Sequence, residues 1–202
     1  MKFDYIEIGT SDFDTMCQEH PNLVGLSIEP LDIYRNRLPA QDNVIRLNCA
    51  ISNFKATNGV VWYVHPDDID AFDLPQWLKG CNSFQKMHPS VKAELEKRQL
   101  LRLFRFKYVE VLTWQDLVAR YDITHVNYLK IDTEGHDLVI INNMLDWAIK
   151  SSRCPDEILF ESNILINEDE LKCTLERLKC FGYEIIYTNN ENTLVKKVRV
   201  EG

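Results

Sequence analysis

Three side chains that handle protons, Asp132, Glu134 and His136, follow directly after the apolar run Val126 to Ile131. A carboxylate or imidazole held at such a point can take the proton of a weakly acidic hydroxyl, and imidazole, with an unperturbed pKa of about 6.5, is the conventional base near working pH. Each residue also has a structural alternative: Asp132 as a helix cap, Glu134 as a first-turn acid, His136 as a surface residue. Glu161 and Asn163 follow the β-like run Glu157 to Phe160. With Asp132 they make the oxygen set that Mg2+ or another divalent cation prefers, unless they serve as loop caps.

A second group suits a nucleoside. Gly9 ends the apolar run Phe3 to Ile8, and Glu29 stands twenty residues further on, at the end of the run Asn22 to Ile28. Glycine permits close backbone approach, and an acid at that spacing accepts hydrogen bonds from two ribose hydroxyls. The pyrophosphate fingerprint G-x-G-x-x-G is absent, because Ser11 and Asp14 occupy its second and third glycine positions,. Asp12 and Asp14 would repel phosphate, so a nucleoside without a phosphate chain fits better, and S-adenosylmethionine is the candidate. The expected donor contacts are Glu7, Gly9, Thr10 and Ser11 after the first strand, Glu29 and Pro30 after the second, and Ala50 and Ile51 after the third.

These residues need a scaffold that gathers strand ends. Apolar runs alternate with helical patterns, the signature of crossover units on a mainly parallel sheet. Strands are expected at Phe3 to Ile8, Asn22 to Ile28, Asn43 to Ile51, Val126 to Ile131 and Glu157 to Phe160. Helices are expected at Asp12 to Glu19, Leu31 to Leu38, Trp114 to Tyr121 behind the cap Thr113, Asp137 to Ile149, and Glu168 to Phe181. Tyr183 to Tyr187 and Thr193 to Val200 read as a closing hairpin. In an open parallel sheet the ligand crevice lies beyond the carboxyl ends of the strands.

The stretch from His65 to about Tyr108 fits the alternation least and reads as an insertion within one domain spanning residues 1–202. Inside it, Ser90 is expected to cap a helix to about Leu103, and Phe104 to Tyr108 to form a strand. Gly80 to Pro89, beside Trp77, mixes side chains that suit a sugar pocket, so the insertion is expected to shape an acceptor site. The first strand begins almost at Met1, which suggests a domain taken from a longer polypeptide.

Composition narrows the function classes. With 23 Lys and Arg against 31 Asp and Glu, the formal charge is -8, which disfavours a nucleic-acid partner,. No apolar run approaches the roughly 18 residues of a membrane span, and acids interrupt the N-terminus where a secretory signal would be apolar. A soluble, cytoplasmic protein is expected. The six cysteines are scattered and form no zinc-like spacing, so reduced thiols are expected,.

The series Ile6-Glu7-Ile8-Gly9, Ser27-Ile28-Glu29-Pro30, Asn48-Cys49-Ala50-Ile51-Ser52 and, most specifically, Lys130-Ile131-Asp132-Thr133-Glu134-Gly135 resembles the FkbM-type methyltransferases. The segment Thr113 to Leu117 is similar to the threonine-capped helix that the family places just before the last motif. The resemblance implies an α/β, Rossmann-like class I methyltransferase fold: a seven-stranded, mostly parallel sheet with the last strand antiparallel and helices on both faces. It further implies S-adenosylmethionine as methyl donor and a sugar hydroxyl as acceptor. The family's first loop is commonly richer in glycine than Gly9-Thr10-Ser11-Asp12-Phe13, so the donor's methionine end is expected to be held differently here. Alternatives are a non-sugar acceptor, a silent donor-binding module fused to a glycosyltransferase, and an NAD-dependent oxidoreductase.

Overall fold

A computed structural model describes residues 1–163 and 165–198. The chain opens with β1 (Lys2–Ile8), followed by the single turn α1 (Met16–Glu19), β2 (Gly25–Ile28), the single turn α2 (Asp32–Arg35) and β3 (Val44–Leu47). Next come β4 (Ala50–Ile51), β5 (Ala56–Val64), α3 (Pro66–Ala71), β6 (Ser83–Phe84), α4 (Pro89–Lys97) and β7 (Phe104–Leu112). The remainder is α5 (Trp114–Tyr121), β8 (His125–Ile131), α6 (Asp137–Ser151), β9 (Glu157–Glu161), α7 (Glu168–Cys180), β10 (Tyr183–Thr188) and β11 (Asn192–Lys197).

Seven strands make one sheet in the order β10-β11-β9-β8-β1-β2-β3. From β3 to β9 every pairing is parallel, whereas β11 runs antiparallel to both neighbours. The chain builds outward from β1 to β3 and then crosses back to β8 on the other side of β1. The loops after β1 and β8 therefore part and leave a crevice at the strand ends.

Side chains alternate across a strand, so Tyr5 faces opposite to Ile6 and Ile8. Ile6 and Ile8 share a core with Leu117 of α5, Leu138, Ile141 and Met144 of α6, and Leu178 of α7. Tyr5 packs with Met16 and Cys17 of α1. Helices thus lie on both faces, though four residues of α1 do on one side what three long helices do on the other. All six cysteines are free thiols, and no helix among the described residues is long and apolar enough to cross a membrane.

The middle of the chain departs from the sequence expectation. A continuous strand from Asn43 to Ile51 does not form. The Asn48 side-chain amide donates to the Glu29 carbonyl at 2.8 Å, turning the chain out of the main sheet. Ala50 and Ile51 pair instead with Val111 and Leu112 in a second sheet of order β4-β7-β5-β6. The segment expected as an insertion from His65 is therefore framed by strands that begin earlier, and its nucleus is the long antiparallel pair β5–β7.

Several helices are shorter than their apolar spacing implied. α1 starts only at Met16, because Thr15 and Gln18 form a capping box there and Glu7 takes the Met16 amide,. The expected helix Leu31 to Leu38 is the single turn α2. His88, not Ser90, caps α4: Pro89 occupies the first helical position and the His88 ring accepts from the Val91 amide,. α4 stops before Leu103, with Gln99 in the left-handed region at φ 58°. Thr113 caps α5 as expected, with Asp116 completing a capping box. The expected last-strand residues Arg199 and Val200 lie outside the described residues.

Gly9 shows what presses the crevice together. It has φ 86°, and a Cβ built on it would overlap the Asp132 carbonyl oxygen. The glycine is there for close packing of the β1 and β8 ends, not only for a ligand. Gly182 shares the positive φ but has open space around it. Gly182→Ala should cost about 1–2 kcal/mol from left-handed backbone alone, and Gly9→Ala at least about 3 kcal/mol in urea unfolding.

Candidate active site

Beyond the ends of β1, β2 and β8 lies a cleft that, with the solvent space at its mouth, measures about 540 Å³. Of the expected donor contacts, Gly9, Ser11, Glu29, Pro30, Ala50 and Ile51 line it, and Asp132 and His136 reach it from β8. Glu29 is only 4% exposed. Its two oxygens accept from the amides of Ser11 at 2.9 Å and Leu31 at 2.8 Å. Burial pushes its carboxyl up to about 7, against the pull of those two amides. A carboxylate has about four acceptor positions, so two stay available to a hydroxyl in the cleft. The far wall is apolar, from Ile28, Cys49, Val61 and Phe84, and among the described lining residues there is no lysine or arginine.

Glu7 and Thr10 do not line the cleft; they brace it from beneath. Glu7, fully buried, takes the Lys130 ammonium at 2.9 Å and the Met16 amide at 3.0 Å, and burial raises its pKa. Thr10 donates its hydroxyl to the Ile28 carbonyl at 3.0 Å.

A second cleft, about 950 Å³, opens on the other side of the β8 loop, lined by Trp77, Ser90, Glu134, Glu161, Asn163 and Asn192 among others. Asp132 alone among the described residues lines both clefts. Its carboxylate stands at the open floor, reached by solvent yet crowded by protein. Burial first and Glu134 second push its pKa up to about 6.

The other two proton-handling candidates are committed elsewhere. Glu134 accepts from His88 Nε2 at 3.1 Å. Because His88 Nδ1 accepts the Val91 amide, its proton belongs on Nε2, and that nitrogen has no lone pair to offer a metal,. His136 Nε2 pairs with the Ser52 hydroxyl at 3.0 Å, its ring meets Phe84 edge-on, and burial lowers its pKa to about 4. It is neutral at working pH, and it lines only the donor cleft.

The expected cation set comes together in part. The carboxylates of Asp132, Glu134 and Glu161 converge within 4.8 Å. Asn163 does not join them, because its carbonyl accepts the Leu165 amide at 2.8 Å and its NH2 faces Glu161. Glu161 also takes the Gly135 amide at 3.2 Å. Glu134 and Glu161 already accept hydrogen bonds here, and through them the group ties the loops after β8 and β9 together.

Two features escaped the sequence reading. Asp137, fully buried, accepts from the Thr133 amide at 3.2 Å, the Thr133 hydroxyl at 2.7 Å and the Glu161 amide at 3.1 Å. It knots the ends of β8 and β9, and the threonine one helical turn before it was the available signal. The second is the place of Asn82 and Phe84: in the stretch Gly80 to Pro89, expected to shape the acceptor site, these two line the cleft beyond β1 and β2 instead.

A family model described as Methyltransferase FkbM domain matches residues 7–163. The span runs from within β1 to just past β9 and takes in every expected site residue. No curated protein matches the chain.

The anchor has a measurable signature. Burial, then Glu134, Asp137 and Asp132, push Glu161 from its usual 4.5 to about 9. The folded state thus keeps this proton to a higher pH than the unfolded chain, so unfolding releases it and stability falls as pH rises between those values. Above pH 7 His136 is neutral in both states and does not oppose the trend. Urea unfolding between pH 7 and 9 should show a decline of up to about 1.4 kcal/mol per pH unit from this group, and Glu161→Gln should flatten it.

Proposed function

The chain belongs to the FkbM methyltransferase family, and on that premise we propose that it transfers a methyl group from S-adenosylmethionine to a hydroxyl oxygen of a glycan or deoxy-sugar. The observation that carries this reading is the meeting of two clefts at a single carboxylate, Asp132. The donor cleft suits this nucleoside by its chemistry. It presents Glu29 and Asp132 and no cation among its described lining residues, which favours a positively charged sulfonium and disfavours the pyrophosphate of a dinucleotide. Ser11 Oγ is buried there without a partner, and buried polar atoms in folded proteins are otherwise nearly always paired.

When bound, S-adenosylmethionine supplies a methyl group already activated on sulfur, so the protein has to align the acceptor and take its proton. Glu29 offers its free acceptor positions to the ribose hydroxyls. Ala50 and Ile51, with Phe84 opposite, form the apolar slot for the adenine, and Gly9 and Ser11 border the methionine end.

Asp132 takes the acceptor proton. It faces both clefts, and with a pKa near 6 it is ionised at neutral pH while being a stronger base than an ordinary aspartate,. Glu134, held by His88, and neutral His136, held by Ser52, shape the walls on either side. In the acceptor cleft Trp77, 45% exposed, offers a ring face to the C–H face of a sugar, with Ser90 and Asn192 for its hydroxyls. The carboxylates of the same cleft repel anionic sugars.

Glu29→Ala should weaken S-adenosylhomocysteine binding by about 1–3 kcal/mol in calorimetry. Asp132→Asn should leave that affinity within about twofold while lowering turnover by roughly 10²–10⁴. It should also abolish the rise of wild-type activity through an apparent pKa near 6. Incubation with labelled donor and a panel of neutral oligosaccharides supplies the assay, and a wild-type protein that binds no donor overturns the reading.

A further inference from the structure

The segment Gly80 to Phe84 is a thin septum between the two clefts. Gly80, Asn82 and Phe84 face the donor cleft, and Cys81 between them faces the acceptor cleft. The segment is held at both ends. A 3-10 turn, Gln76–Lys79, precedes it, and Ser83 and Phe84 pair with Trp62 and Val61 of β5.

Asn82 is oriented by its surroundings. Its backbone amide donates to the Gly80 carbonyl at 2.9 Å, and its side-chain NH2 donates to the Lys79 carbonyl at 3.0 Å. A carbonyl only accepts, so the NH2 must face it and Oδ1 must face away. Oδ1 is buried beside the hydroxyl of Tyr34, a fully buried side chain within hydrogen-bonding reach of the Asn82 amide, and an amide oxygen has two lone pairs, so Tyr34 as a single donor leaves one acceptor position open on this cleft-lining residue,. An open acceptor position on a residue of the cleft wall suits a ligand group that donates. On the other side of the same turn the Cys81 thiol lies against Glu134, whose carboxylate also holds His88 at the start of α4.

We propose that Asn82 is a donor-binding residue carried by the second sheet, accepting a hydrogen bond from an O–H or N–H of the adenosyl group. Through it, occupancy of the donor cleft sets Cys81 and the adjoining wall of the acceptor cleft. Donor binding thereby prepares the acceptor site. This inference rests on the proposed methyl-donor function and assigns the middle of the chain a part in both substrate sites.

Calorimetry with S-adenosylhomocysteine tests it without any acceptor. Asn82→Ala should bind about tenfold more weakly than wild type, with the melting temperature of the ligand-free protein within about 3 °C. Hydrogen exchange on wild type saturated with S-adenosylhomocysteine should show the amides of residues 79–84 protected, and Asn82→Ala at equal saturation should lose that protection. Equal affinity of the two proteins, or unchanged exchange at 79–84 in saturated wild type, overturns the inference while leaving the donor site standing. Should Asn82→Ala fail to fold, exchange on wild type decides alone. Absence of binding by wild type overturns both this inference and the reading beneath it.

Discussion

Where parallel strands end, backbone amides lose the partners that the ladder supplied and need acceptors away from water. This chain meets that need with buried carboxylates. Glu7 takes the amide of Met16, Glu29 those of Ser11 and Leu31, Asp137 those of Thr133 and Glu161, and Glu161 that of Gly135. Each loop at the ligand-binding rim is thus tied down by an acid from a strand end or the helix start beside it. Burial raises the pKa of all four, so the rim combines rigid loops with a concentration of acids that hold protons tightly.

Against that background Asp132 stands apart. Its surroundings include no hydrogen bond that favours its ionised form, only burial and like charges offset by Lys130. Its backbone is fixed by the Asp132 amide donating to the Ile8 carbonyl at 2.9 Å and by the glycine packed against its own carbonyl. A side chain free to accept a proton on a backbone that cannot shift is the preorganisation that proton transfer requires. For the more familiar base, His136, burial against Ser52 and Phe84 disfavours the charged form it would have to adopt,.

The strands of the second sheet leave and rejoin the main fold within a few residues of the crevice. β4 departs at Ala50, beside the donor cleft, and β7 returns into the cap of α5. Phe84 of this sheet packs edge-on against His136.

Local chemistry was readable along the chain: where β1, β2 and β8 ended, that Thr113 began a helix, and that Glu29 and the segment Asp132 to His136 stood just beyond strand ends. Those features depend on period, turn residues and charge, which neighbours in sequence carry. What only the tertiary structure decided were the pairings across distance. Ala50 and Ile51 belong to Val111 and Leu112, Glu134 to His88, Asn82 to the donor cleft, and Glu7 to Lys130. Which of several acids stays free and which become anchors is set by the amides packed against them from distant segments, and sequence spacing does not encode that contact.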